Sequence, residues 1–212
     1  MKTKCDFLLL LSILFIIPYI GCAQKLDPAQ TGISGSAAPG HNGTIHSIGE
    51  HYGGGIVFYV FDDLSGVQHG LIAATTDQGS AIAWYPGTCK ICTDYLEEGG
   101  NVYTDMIVAA GSQGKQEPFA ARTCRNYSVT IAGVSYEDWY LPSKKELNLL
   151  YLQKDIVGGF VCSHHDYYWS SSEYNGWKPE DACQAYLQFF SNGSSSFGPK
   201  KHKGHVRAIR AF

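Results

Sequence analysis

The chain has 212 residues, of which 44% are hydrophobic and 17% are charged, and its formal net charge is −3. This slightly acidic balance excludes a general nucleic-acid-binding role, which needs a basic surface. The length suits one folded domain with a substantial core, and 24 glycines with 14 tyrosines indicate short turns and aromatic strands rather than long helices.

The first residues have the pattern of a secretory signal. Lys2 and Lys4 precede an apolar run at positions 7–20. A membrane-spanning helix needs about 20 residues, so this run is too short to be one and fits the core of a signal peptide. Two cleavage sites compete. A loose lipobox ending at Cys22 would make that cysteine the lipidated first residue, whereas an ordinary signal peptidase would cut after Ala23. We favour the lipoprotein, which the membrane would hold through its lipid alone, over simple secretion.

Three segments follow from this pattern. Residues 1–22 form a lipoprotein-type signal peptide, residues 23–47 a flexible linker and residues 48–212 the folded domain. The linker is rich in Gly, Ala, Pro, Ser and Thr and has no apolar periodicity, so it cannot bury enough surface to offset the entropy lost on ordering. The protein is therefore predicted to be exported, either to the cell envelope or outer membrane as a lipoprotein or as a secreted protein.

The first half of the domain reads as a β-hairpin followed by two helices. Three glycines lead into a β-branched and aromatic strand, and the chain returns along a partner strand. Asn101 is the predicted cap of the first helix. Pro118 stands near the first turn of the second, whose Phe119, Ala120 and Cys124 would face inward. The predicted elements are strands at 56–61, 69–75 and 81–84, a loop at 86–100, and helices at 101–110 and 118–127.

The second half centres on the segment DWYLPSKKELNLLY at 138–151. Residues 139–141 suit the end of a strand. Ser143 and Glu146 form a capping box for a helix that Gly158 and Gly159 would end. The other predictions are a turn-rich return at 129–137, strands at 167–173, 182–190 and 204–212, a polar excursion at 191–202, and core positions for Trp139 and Trp169. The last strand needs a bulge or two-sided burial, because its apolar residues do not share one face.

Several segments together resemble one known family. They are HYGGGIVFYV at 51–60, HGLIAA at 69–74, AARTC at 120–124, WYLPSKKELNLLY at 139–151, YYWSSSE at 167–173 and VRAIRAF at 206–212. In this order they resemble the bacterial DUF1566 family, also called the Lcl C-terminal domain family after a collagen-like adhesin. The resemblance implies an α+β domain of the C-type-lectin-like kind, related to the formylglycine-generating-enzyme group. Such a domain has a twisted, mostly antiparallel sheet with two or three packed helices.

The resemblance constrains function less closely than fold. We predict a surface-exposed, non-catalytic binding or adhesion domain for glycans, including the sulfated polysaccharides with which the collagen-like adhesins of this family are associated. A surface protein is the other partner considered. One alternative is a formylglycine-generating-like enzyme that uses a cysteine pair, although no pair in this chain matches that group's motif. Another is a purely structural envelope protein.

Five cysteines fall in the predicted domain, namely Cys89, Cys92, Cys124, Cys162 and Cys183. In an exported protein this odd number predicts two disulfides and one free thiol, with a bond from Cys89 or Cys92 to Cys124 as one option. The CKIC pair could also bind zinc or exchange disulfides. It lies in a Gly/Pro-rich loop without a second ligand pair, so a structural role is favoured.

The loop at 173–181 is the first predicted recognition surface. Trp177 follows a glycine, and a flat aromatic ring among polar side chains suits stacking on a sugar. Glu173, Asn175 and Asp181 supply oxygen atoms that could hold calcium. A plain solvated loop is favoured over a calcium site, and no other cofactor is expected.

The basic C-terminal segment is the second predicted recognition surface. Lys200, Lys201, Lys203 and Arg207 could attract sulfated or carboxylated glycans by charge. The lysines could equally form an ordinary solvated loop, and Arg207 could be an ion-pair partner inside the closing strand.

Overall fold

Two β-sheets carry most of the chain, and helices pack against them. The computed structural model describes residues 44–87, 91–93, 99–111, 117–176 and 178–212, which belong to one compact unit. In chain order the elements are β1 (His51–Tyr52), β2 (Gly55–Asp62), β3 (Gln68–Ala73), β4 (Gly79–Ala83), α1 (Gly100–Gly111), α2 (Ala120–Arg125), β5 (Val129–Ile131), β6 (Val134–Tyr136), α3 (Lys144–Leu152), α4 (Lys154–Val157), β7 (Tyr168–Glu173), a 3-10 helix (Pro179–Cys183), β8 (Gln184–Gln188), β9 (Ser195–Pro199), β10 (Lys203–Val206) and β11 (Ile209–Ala211).

The first sheet has four strands in the order β1-β2-β3-β11, and all its neighbouring pairs are antiparallel. The predicted hairpin forms its centre, where β2 pairs with β3. The Asp63 carboxylate holds the turn by accepting hydrogen bonds from the Ser65 hydroxyl and from the Val67 N–H. Both bonds lower the pKa of the Asp63 carboxyl, and the bond from Ser65 has the larger effect.

The second sheet has five strands in the order β4-β10-β7-β8-β9. Its pairs are antiparallel except β10 with β7, which run parallel. Strands β5 and β6 form a separate two-stranded hairpin. Helices packed against mostly antiparallel sheets make this an α+β protein, as predicted, but the described residues form two main sheets and four α-helices instead of one sheet with two or three helices.

The core has two parts. The larger part contains Trp84, Trp139 and Trp169, all fully buried, and the inward-facing residues of α1 and α2. The predicted core positions of the last two tryptophans are therefore confirmed, as are the three inward-facing positions predicted around α2. The smaller part includes residues of β2 and β3 with Leu147 and Leu150 of α3. Burial of each of these large apolar side chains stabilises the folded state by about 1.5–3 kcal/mol.

The capping box at the start of α3 forms as predicted. The Ser143 N–H donates to Glu146 Oε2 at 2.7 Å, and the Glu146 N–H donates to Ser143 Oγ at 3.3 Å. The helix ends at Leu152, however, and a further short helix, α4, follows. Gly158 and Gly159, both with positive φ, end α4 rather than α3.

Two local predictions in the middle of the chain are wrong. Helix α1 begins at Gly100, so Asn101 lies inside the helix instead of capping it, and its side-chain oxygen accepts from the adjacent Val102 N–H. Residues 139–141 do not form a strand, because Tyr140 makes an isolated bridge to the closing strand instead. At Tyr140 the local strand preference is overridden by pairing with the distant Ile209.

The closing segment at 204–212 is two strands rather than one. β10 belongs to the second sheet and β11 to the first, so the apolar residues that could not share one face serve two sheets. A bulge between Gly204 and Val206 adds to the change of direction. Two segments predicted without strands also contain them, since 129–137 holds the β5–β6 hairpin and 191–202 holds the edge strand β9.

The folded domain starts earlier than residue 48. His46 is buried, and its backbone N–H donates to the Gln68 side chain at 2.7 Å. The predicted signal peptide at 1–22, the lipid site Cys22 and the linker up to residue 43 lie outside the described residues. Within the part of the chain that is described, no helix is both long enough and apolar enough to cross a bilayer.

Candidate functional site

The predicted basic surface is divided between the interior and the exterior. Lys200 and Arg207 are buried, at 2% and 1% exposure, whereas Lys201 and Lys203 are exposed. Lys200 and Arg207 therefore do not belong to a basic recognition surface, and the alternative of Arg207 as an ion-pair partner is confirmed. Two lysines of the four residues remain accessible to a charged ligand.

Lys200 is held inside the protein by a buried carboxylate. Its ammonium forms an ion pair with Glu173, which is also buried, and lies 4.9 Å from the ring centroid of Trp84. The Glu173 carboxylate also accepts hydrogen bonds from the backbone N–H groups of residues 91–93 at 2.6–3.0 Å. The carboxylate thus fixes a loop and a lysine.

Arg207 is likewise structural. Its Nε donates to Asp77 Oδ1 at 2.7 Å, and its two terminal nitrogens donate to the carbonyl oxygens of Ala74 and Gly159 at 3.0 and 2.6 Å. The guanidinium also lies 4.0 Å above the ring of Phe160. A guanidinium group whose nitrogens already donate to several acceptors inside the protein is not a surface site for a glycan.

The calcium site considered as an alternative for this loop is not assembled in the described residues. Glu173 points inward to Lys200, Asn175 is exposed, and the Asp181 carboxylate accepts from the Lys178 N–H at 2.9 Å. Among the residues described, no group of three or more His, Cys, Asp and Glu side chains is placed to hold a metal ion. Trp177, the predicted stacking residue, lies outside the described residues.

The cysteines offer no reactive pair in the described part of the chain. Cys124 is a fully buried free thiol, and burial raises its pKa well above the ordinary range, so it is neither a nucleophile nor the partner of the suggested disulfide. Cys162 is free and exposed. No two of the described cysteines are joined, and Cys89 lies outside those residues. Because Cys124 and Cys162 are both free, the predicted pattern of two disulfides and one free thiol is wrong.

A cavity of about 260 Å³ lies where four of the sequence motifs meet. We call it the motif cavity. The residues that line it include Tyr59 from HYGGGIVFYV, His69 and Leu71 from HGLIAA, Tyr140, Glu146 and Leu149 from WYLPSKKELNLLY, and Phe212 from VRAIRAF, together with Phe61 and Asn101. The lining of the cavity therefore comes from strands β2, β3 and β11 and from the starts of α1 and α3.

One wall of the motif cavity is aromatic. The sheet register places Tyr59 opposite Leu71 and Phe61 opposite His69, so these side chains share one face of the sheet. The ring centroids of Tyr59 and Phe61 are 5.8 Å apart, and those of Phe61 and His69 are 5.5 Å apart. Phe61 is 48% exposed, which leaves part of its ring open to a ligand.

The inner end of the cavity is polar. The buried carboxylate of Glu146 accepts hydrogen bonds from the Tyr140 hydroxyl at 3.2 Å, from the Ser143 N–H at 2.7 Å and from the Gly100 N–H at the start of α1. Burial raises the pKa of the Glu146 carboxyl above its ordinary value, although these bonds oppose the rise. Asn101 adds an exposed side-chain amide to the lining.

A second cavity, of about 370 Å³, lies over the three glycines of the HYGGG motif. Tyr52, Tyr127 and Tyr136 line it, together with the half-exposed Ile131 of the β5–β6 hairpin. Its lining contains no carboxylate, Lys or Arg among the described residues. It is larger than the motif cavity, and its polar side chains are the three tyrosine hydroxyls, His51 and Thr75.

None of the residues that line the motif cavity was predicted as a ligand-binding residue. Glu146 and Asn101 were interpreted only as helix caps, which is correct but incomplete for Glu146, and Phe61 and His69 were not singled out. The available signal was the set of motifs itself, since four of them supply the lining.

Comparison of the chain with protein-family models and with curated proteins gives no match. The likeness to the Lcl C-terminal domain family therefore stays a prediction from the motifs.

Proposed function

We propose that this protein is an exported bacterial surface lipoprotein whose domain, of the Lcl C-terminal and C-type-lectin-like kind, binds glycans without catalysis. We further propose that the motif cavity holds the sugar. The observation that carries this proposal is the aromatic wall of Tyr59, Phe61 and His69 beside the carboxylate of Glu146.

A sugar ring has an apolar C–H face and a rim of hydroxyl groups. The face can stack on the open part of the Phe61 ring, because aromatic side chains offer a large and rigid apolar surface. The hydroxyls can meet the Asn101 amide and the oxygen atoms of Glu146 and Tyr140. The volume lies just below the about 300–1,000 Å³ of ordinary ligand pockets, which suits a single ring rather than a long oligosaccharide.

The charge of the cavity favours a ligand that is not sulfated. The Glu146 carboxylate would repel a sulfate group, and the described residues of the lining include no Lys or Arg. A sulfated glycan, as predicted from the sequence, would have to bind elsewhere, at the exposed Lys201 and Lys203.

Binding without catalysis is supported by the chemistry present. Hydrolysis of a glycosidic bond ordinarily uses two carboxyl groups on opposite sides of the bond, and Glu146 is the single carboxylate among the described residues that line the cavity. The cysteine-dependent alternative is not supported by Cys124, whose thiol is buried and protonated.

The test is a glycan-array screen of the full chain, followed by calorimetry with the glycans that bind. We expect Phe61→Ala to weaken binding by roughly tenfold through loss of the stacking surface. Phe197→Ala is the matched control, because Phe197 is a similarly exposed phenylalanine (43%) on β9 of the other sheet. Equal binding by wild type and Phe61→Ala would overturn the motif cavity as the site. Loss in the Phe197 variant alone would place the site near loop 173–181, because Phe197 stacks on Tyr174.

A further inference from the structure

Among the described residues, Glu146 differs from Glu173, the other buried carboxylate, in having no cationic partner. Glu173 is paired with Lys200, and the partly buried Asp77 is paired with Arg207. The hydrogen-bond donors to Glu146 are neutral, since they are hydroxyl and backbone N–H groups. No ion pair involves Glu146 in the described part of the chain.

An ionised carboxylate without a counter-charge is costly to bury. Neutral donors offset part of that cost, and the raised pKa of Glu146 shows that part of it remains. A cation that entered the motif cavity would offset more of it, because opposite charges attract strongly where water is excluded.

The aromatic wall favours the same kind of ligand. A protonated or alkylated amine is attracted to the face of an aromatic ring, most strongly where it is desolvated. Tyr59 and Phe61 present such rings in the cavity that contains the Glu146 carboxylate. Aromatic rings together with a carboxylate form a site for an ammonium group.

The only basic side chain among the described lining residues does not cancel this preference. It belongs to His69, whose Nε2 lies 3.2 Å from Asp63 Oδ2. A proton on that imidazole would be matched by the Asp63 carboxylate, which its hydrogen bonds keep ionised. Any charge on His69 is therefore already paired with Asp63, so the imidazole does not take the place of a cationic ligand beside Glu146.

We infer that the motif cavity selects ligands that carry a protonated amino group next to a ring. If the proposed glycan-binding function is correct, on which this identification rests, the preferred ligand is an amino sugar with a free amine. An N-acetylated or unsubstituted sugar of the same ring would bind less tightly.

The experiment measures binding of four probes to the full chain by calorimetry at neutral pH and low salt. The probes are glucosamine, glucose, N-acetylglucosamine and tetramethylammonium. We expect glucosamine to bind roughly tenfold more tightly than the other two sugars. We expect Glu146→Gln to abolish this difference, since glutamine keeps the capping box but carries no charge. Thermal unfolding checks that the variant is folded.

Each outcome separates this inference from the glycan proposal. Equal affinity for the three sugars in wild type would overturn the inference while leaving glycan binding intact, and no variant is needed for that comparison. A preference for glucosamine that survives in folded Glu146→Gln would also overturn it. Binding of tetramethylammonium but of no sugar would support the cation site and overturn the glycan function. Binding of none of the probes would overturn the inference.

Discussion

Lys200 is a buried cation whose removal would leave the Glu173 carboxylate without a counter-charge. We expect Lys200→Met to lower the free energy of unfolding by about 3–5 kcal/mol, the cost of breaking a buried pair on one side. The matched control is Lys201→Met, one residue along on the surface, which should stay within about 0.5 kcal/mol of wild type. Urea unfolding of the three proteins measures both changes, and equal midpoints for the two variants would contradict a structural role for Lys200.

The same pair shows what sequence can and cannot indicate about single residues. Lys200, Lys201 and Lys203 look alike in the run KKHK, and charge alone predicts a basic surface. Which of them faces inward depends on Glu173, which lies 27 residues earlier and on another strand. Glu146 is the converse case. Its cap was predictable because both partners lie within four residues, whereas its position in a cavity depends on strands from both ends of the domain.

At the scale of elements, the β5–β6 hairpin packs directly on a turn of glycines. Gly54 has a φ of +91°, and a Cβ there would lie 2.5 Å from Val129 Cγ1 and 3.1 Å from Tyr136 Cδ2. We expect Gly54→Ala to lower the free energy of unfolding by about 3 kcal/mol or more, because the effects of backbone strain and overpacking add. Chemical denaturation measures the loss.

The control for that substitution is Gly133→Ala in the turn of the hairpin itself. Gly133 also has a positive φ, of +83°, but a Cβ there would meet nothing within 4 Å. Only the backbone strain should remain, at about 1–2 kcal/mol. If the two alanine variants lost the same stability, packing of the hairpin on Gly54 would not matter.

Elements were predictable where the pattern is local and strong. The β2–β3 hairpin combines a β-branched strand with a tight turn, and α3 carries its own cap, so both were found. Strand β9 was missed because Ser195–Pro199 is an edge strand in which Phe197 is the single large apolar side chain, so it shows no apolar alternation. The closing segment was predicted as a strand, but its division between two sheets is a property of the whole fold.

At the scale of the whole molecule, the motif cavity shows why a site can escape sequence analysis. Its lining comes from four motifs that begin at position 51 and end at position 212. The motifs are visible as separate stretches, but their meeting point follows from the sheet order β1-β2-β3-β11, which joins the last strand to the first hairpin. Nothing in the local spacing of the residues indicates that order.

Arg207 stands where the chain passes from one sheet to the other, between β10 and β11. Its guanidinium connects Asp77, which follows β3, with the carbonyl oxygen of Gly159, which follows α4. Lysine would keep the charge but lose the planar fork, so some of these buried acceptors would be left without a donor. We expect Arg207→Lys to lower the free energy of unfolding by about 2–4 kcal/mol.

Arg210→Lys is the control that distinguishes the specific role of Arg207 from a general effect of replacing an arginine by lysine. Arg210 also donates hydrogen bonds to a carboxylate and a carbonyl oxygen, but its partner Asp138 is largely exposed, and such pairs contribute about 0–1 kcal/mol to stability.

Tryptophan fluorescence reports on the larger core and far-UV circular dichroism on both sheets. If Arg207 joins the two sheets into one cooperative unit, both signals should shift together in Arg207→Lys. A shift in fluorescence alone would mean that the sheets unfold separately and that β10 and β11 couple them only weakly.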